Sequence, residues 1–442
     1  MGWGFQKVLI AALAVVTMTA SAAKAVPAFA VQTGQPCQSC HVGGFGPQLT
    51  PFGRAFKLGG FTSRTNTFNV PVSAMVVASY LNTQKGQPPT PGFAANDNFA
   101  VDQVSLFLAG GLGAHLGALI QTTYDGIARA FTWDNLDVRA TATTQIKKTS
   151  VTWGVSLNNS PTVEDVWNTL PAWGFPYTSS DLAPSPSASP LLSGALAQTT
   201  LGVTPYVWIN SELYLTAGAY GSPNASTLTR LGADPYDPGG IDGLAPYGRV
   251  AFQAASGTQN FEIGAFGMRT NIYPQRIQST GSSDRYTDLG LDASWQMTRS
   301  NSDVVTLNAR FINEQQALAA SYALGLAANT DDNLRDVRVD ASYYYRDKVG
   351  FTVAWFDTTG SSDALLYAGD RTLRPNSTGV TFQLDGTPWG AGHSPLGQRF
   401  NMRVGLQYSF YSEFNGAGSN YDGMGGKASD NNAFRVFTWL AY

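Results

Sequence analysis

The sequence predicts an all-β protein: an antiparallel membrane barrel of about sixteen strands, preceded by a short segment of different character. Three observations predict it. From residue 70 onward, apolar and polar residues alternate in runs of about ten. No stretch beyond the leader is long and apolar enough to span a bilayer as a helix, so a closed sheet is the remaining way in. The connections between the runs are alternately long and short.

The N-terminus reads as a secretory leader over residues 1–25. Lys7 supplies the positive charge, Val8 to Val16 the apolar run, and Ala23-Lys24-Ala25 a small-x-small cleavage site. The apolar run is well short of the ~20 residues an anchoring helix needs. The leader takes Lys7 and Lys24 from 27 basic residues and leaves 30 acidic ones, so the mature chain carries a net charge of −5. A mildly acidic chain argues against nucleic acid as a partner.

Residues 26–69 form the second unit. It holds the chain's only two cysteines, in Cys37-Gln38-Ser39-Cys40-His41. C-x-x-C-H is the attachment signature for one haem c. Two thiols add to the vinyl groups on one porphyrin edge, and the adjacent imidazole then reaches the iron as proximal ligand. A zinc site needs more ligands than His115 and His393 supply, and a thioredoxin-like dithiol needs a βαβ context that is absent. Phe45, Leu49, Phe52, Phe56, Leu58 and Phe61 supply apolar surface for a porphyrin face. Arg54 and Lys57 are candidate partners of the haem propionates. A domain of about 40 residues needs outside help to fold, here the haem and the barrel wall.

Residues 70–442 form the barrel. Strands are expected at 70–83, 97–109, 113–125, 132–145, 149–159, 195–209, 211–220, 245–255, 260–272, 285–297, 303–316, 334–346, 349–358, 378–387, 398–413 and 431–442. The alternation is cleanest where Leu289, Leu291, Ala293 and Trp295 oppose Asp288, Asp292, Ser294 and Gln296, and where Val404, Leu406, Tyr408 and Phe410 oppose Arg403, Gly405, Gln407 and Ser409. Long connections follow odd-numbered strands, as outer loops do, and short ones follow even-numbered strands, as periplasmic turns do. The exceptions are 126–131 and 388–397. The last strand ends on an aromatic, Tyr442, like the recognition signal of barrel-assembly substrates. A soluble sandwich or propeller would need internal partners for every apolar face, and no blade repeat is visible. The loop from Pro161 to Ser193 either folds into the mouth or stays on the surface.

A second iron ligand would come from Met or His. The facing of each strand puts Met297 and Met402 toward lipid and Met424 in an outer loop. Met75 should point inward on the first strand, and it is the first candidate for the distal position. His115, read as inward beside a periplasmic turn, is the second. His393 lies in a periplasmic connection, and Met268 is inward but remote.

The stretch Pro27 to His41, PAFAVQTGQPCQSCH, with Leu49 to Gly60, LTPFGRAFKLGG, resembles the N-terminus of the fused monohaem cytochrome c–porin family of outer-membrane iron oxidases. Over the barrel the resemblance is architectural only. It implies that Cys37 and Cys40 bind haem covalently and that His41 ligates its iron. It also implies a Gram-negative outer-membrane location, with the haem segment in the lumen or on the periplasmic side. The implied function is to take electrons from extracellular Fe(II) and pass them to a periplasmic c-type cytochrome. Val31 departs from the pattern, standing where the family favours Arg. Two other functions compete: a general conduit for other electron donors, and a diffusion porin with a haem-bearing plug. Glu164, Asp165, Asp234, Asp237, Asp331 and Asp332, read as outer-loop acids, are hard oxygen donors suited to weak Fe(II) binding.

Overall fold

The computed structural model describes residues 27–65, 71–299, 302–389, 394–396 and 400–442. The leader and His393 lie outside them. Sixteen long strands close into one antiparallel barrel: β1 Val72–Thr83, β2 Asn98–Gly111, β3 Leu116–Asp125, β4 Ala130–Ile146, β5 Thr149–Asn158, β6 Leu201–Ile209, β7 Leu213–Gly221, β8 Ala245–Ser256, β9 Gln259–Tyr273, β10 Asp284–Thr298, β11 Val304–Ala317, β12 Asp331–Tyr345, β13 Val349–Gly360, β14 Ser377–Gly386, β15 Asn401–Glu413 and β16 Ala433–Ala441. Each pairs with its sequence neighbours, and β16 pairs back onto β1, with Met75 opposite Ala441 and Thr83 opposite Ala433. The closed ring leaves no long unpaired edge. A two-residue strand, Gly240–Ile241, adds to β9 in an outer loop.

Alternation sets the two faces as expected. Leu289 and Leu291 are exposed on the outside of β10, whereas Asp288, Asp292 and Gln296 are buried inside. Such an outward apolar surface calls for hydrocarbon as its solvent, so the barrel sits in a lipid bilayer. No helix among the described residues is long and apolar enough to cross a membrane. The expected strand limits hold within about four residues except at β6, which starts at Leu201 rather than 195.

That difference has a cause. The β5–β6 connection turns inward and fills much of the lumen, so the chain before Leu201 follows the wall's interior instead of the sheet. Val163, Trp167 and Leu170 are fully buried. Thr169 donates to Asp292, and the amides of Leu191 and Leu192 donate to Glu314 and Asp288. Of the two expectations for this loop, the inward one holds.

The inner wall is not uniformly polar. Phe107 on β2, Met75 and Val77 on β1, and Phe437 and Trp439 on β16 form a buried apolar patch against which Phe29 and Phe45 pack. Residues 27–65 therefore also lie inside the barrel, and this patch is one of their seats. Their contacts fall near the short-turn end: Gln32 with Gly111, Arg54 with Gln253 and Gln296, and Gly43 with Asp347.

Candidate functional site: the CQSCH segment inside the barrel

Three short helices carry the segment: α1 Pro27–Thr33, α2 Cys37–Cys40 and α3 Pro51–Leu58. Helix α2 is a single turn closed by the His41 amide on the Cys37 carbonyl, 2.9 Å. The chain then doubles back. His41 bridges Leu49, the Val42 amide donates to Gln48, and the Thr50 amide donates to Cys40. Thr50 caps α3 through the Gly53 amide, with Pro51 at the first helical position. A Cβ on Gly53 would collide with the Cys40 carbonyl, so glycine lets α3 lie directly on the motif.

The loop 42–48 is clamped to the wall. Arg403 donates to the carbonyls of Val42 and Gly43 at 3.4 and 3.2 Å, Asn401 donates to Gly44, and Asp347 accepts from the Gly43 amide. Gly43 has φ +71° and no room for a side chain between Tyr344 and Arg403. Replacing it should cost about 1–3 kcal/mol of docking. In Gly43→Val, limited proteolysis is expected to cut residues 27–65 faster than in wild type while the barrel keeps its heat-modifiable gel mobility. Equal cutting rates would show that the clamp does not hold the segment.

Beside the motif lies a largely apolar cavity with about 570 Å³ of empty space, part of it open at its mouth. Cys40, His41, Leu49, Lys57, Leu119, Asn168 and Trp173 border it, together with Phe29, Phe56 and Phe61. The three phenylalanines pack on one another with ring centres 5.0, 5.2 and 5.8 Å apart. A larger groove, bordered by His115, Trp153, Val155 and Leu215, opens on the lipid side of the wall and shares no lining residue with this cavity.

Local electrostatics suit a neutral ligand. Burial, with the charge of Arg403 nearby, lowers the His41 imidazole to about 4, so it is unprotonated at neutral pH. Its Nδ1 is buried without a hydrogen-bond partner. Cys37 and Cys40 are not joined to each other. Burial raises both thiols, Cys40 to about 12 with Cys37 adding to the effect.

The other expected site residues are placed as follows. Arg54 is buried and donates to Gln253 and Gln296. Lys57 is buried and donates to the carbonyls of Val163 and Asp165, with its amine 4.5 Å from the centre of the Trp173 ring. Burial, with Arg139 close by, lowers that amine to about 7. Met75 faces the lumen within the apolar patch and does not border the cavity. His115 is exposed in the β2–β3 turn instead of pointing inward, and its Nδ1 lies 2.9 Å from the Thr141 carbonyl.

Two of the supposed outer-loop acids are not outside. Glu164 and Asp165 are fully buried, because the β5–β6 loop carries them to Arg249 on β8, at 3.6 and 2.8 Å. Asp332 is also buried, whereas Asp234, Asp237 and Asp331 are exposed. Among the described residues, no group of three or more His, Cys, Asp or Glu side chains is arranged to hold a metal ion. Sequence reasoning missed Arg403, Asn401 and Asp347. Arg403 and Asn401 were legible only as inward-facing polar positions, and nothing linked them to the glycines after His41.

No protein-family model matches the chain, and no curated protein does. Several solved porins are similar in structure. OmpF of Salmonella typhi in complex with daunomycin is 13% identical at a TM-score of 0.48, over 86% of this chain and 100% of that one. The outer membrane channel DcaP of Acinetobacter baumannii is 12% identical at 0.45, over 84% and 96%. An anion-selective porin from Comamonas acidovorans is 11% identical at 0.43, over 84% and 98%.

Proposed function

We propose that this chain is an outer-membrane electron-transfer protein with one haem c, which oxidises extracellular Fe(II) and passes the electrons to a periplasmic c-type cytochrome. The observation that carries the reading is CQSCH against an apolar cavity inside a membrane barrel. Cys37 and Cys40 would hold the haem covalently and His41 would ligate its iron. When bound, the haem supplies a one-electron centre. Phe29, Phe56 and Phe61 would cover it and exclude water, which lets nearby charges weigh on its potential. Arg403 fixes the carbonyls that follow His41, and so positions the imidazole. The resemblance of Pro27 to Gly60 supplies iron as the donor. Ferric iron is poorly soluble near neutral pH, so oxidation outside keeps the precipitate out of the cell.

The packed lumen favours a plugged barrel over an open diffusion pore, which keeps a porin with a haem-bearing plug as the second reading. One experiment separates the two. In whole cells expressing the protein, added Fe(II) is expected to reduce the haem, with the effect lost in His41→Ala. A haem that stays oxidised with excess Fe(II), yet reduces with dithionite, would remove iron oxidation and leave the plug or a general conduit.

A further inference from the structure

We propose that Lys57 supplies the distal ligand of the haem iron, through the lone pair of its neutral amine. The inference rests on the proposed attachment of haem at Cys37 and Cys40.

The cavity that His41 borders offers few donor atoms. Cys40 is committed to the covalent attachment. Asn168 is fully engaged: its Oδ1 accepts from the Leu49 amide at 2.8 Å, and its Nδ2 donates to the Pro47 and Trp173 carbonyls, both at 3.0 Å. Met75 and His115 do not border the cavity. That leaves Lys57.

Its placement suits the role. Gly53, Phe56 and Lys57 stand at i, i+3 and i+4 on α3 and present one face to the cavity. An ammonium is a donor only; a neutral amine keeps two protons and gains a lone pair. Lys57 already has two carbonyl acceptors, Val163 at 2.7 Å and Asp165 at 2.8 Å. These match the two protons a coordinated amine retains. The ring of Trp173, itself part of the cavity wall, has its centre 4.5 Å from Nζ. Ligation releases one proton from Nζ to water and forms one nitrogen–iron bond, with no change in oxidation state. Burial favours the neutral amine, which supports the assignment.

The test uses full-length protein matured with haem and purified in detergent, with ferric spectra read by electron paramagnetic resonance and near-infrared magnetic circular dichroism. Wild type is expected to be low-spin with the signature of imidazole and amine ligands. Lys57→Ala and Lys57→Arg should become high-spin, and Lys57→Met should show an imidazole–thioether signature. Heat-modifiable mobility and a haem stain control for folding and loading. A high-spin wild type overturns the proposal. So does a Lys57→Ala protein that stays low-spin, including one that changes only its midpoint potential, since that is the mark of a propionate partner. A loss of low spin in Met75→Ala but not Lys57→Ala also overturns it. Absence of any haem stain in wild type is the separate outcome that ends the attachment reading itself.

Discussion

Protein carrying Cys37→Ala and Cys40→Ala is expected to reach the membrane as an intact barrel with no covalent haem. The effect should be total, because the chain has no other cysteine. On a denaturing gel, haem stain should run with wild type and be absent from the double variant. The barrel should survive, since its sixteen strands close through β1 and β16 without any residue of the N-terminal segment. His41→Ala should behave differently: it keeps both thiols and hence the stain, while the spectrum shows the loss of the proximal imidazole. Stain that persists in the double variant would end the c-type assignment, and a barrel that fails to assemble would show that the segment is needed for closure.

The second large effect is expected at Arg249. Its guanidinium lies 2.6 Å from Asp292, 2.8 Å from Asp165 and 3.2 Å from Glu262, with all four side chains fully buried. Two of these carboxylates belong to the wall and one to the β5–β6 loop, so a single cation ties the loop to the barrel. Removing one partner of a buried ion pair costs about 3–5 kcal/mol, because the remaining charge stays buried without compensation. Arg249→Met is therefore expected to lower the temperature of heat modification and to free the loop, raising single-channel conductance in planar bilayers. Arg249→Lys should be intermediate, since an ammonium cannot reproduce the guanidinium fork. Conductance and stability equal to wild type in Arg249→Met would show that the loop is held by apolar packing of Val166, Trp167 and Leu170 alone.

The same cluster shows where sequence reasoning runs out. Period-two alternation located the strands and decided which residues share a face, because a pleated chain has no other way to place successive side chains. It placed Asp288 and Asp292 on one face, and Leu289 and Leu291 on the other. It carried no information about what those inward charges would meet. Arg249 and Asp165 are 84 residues apart and belong to elements with no shared periodicity. Asp165 read as an outer-loop acid because loops usually stay on the surface. This one folds inward because Trp167, Leu170, Leu191 and Leu192 bury apolar area, and the wall supplies acceptors for its amides.

The sequence by itself determined the barrel, its strand number and the facing of Met75. All of these follow from local patterns: alternation and turn spacing. Only the tertiary structure decided that residues 27–65 lie within the lumen, that Gly43 is required by Tyr344 and Arg403, that His115 is exposed, and that Lys57 rather than Met75 borders the cavity beside His41. Those facts depend on pairs brought together by closing the ring. Closure sets which inward side chains face one another across the lumen, and no local pattern encodes that distance.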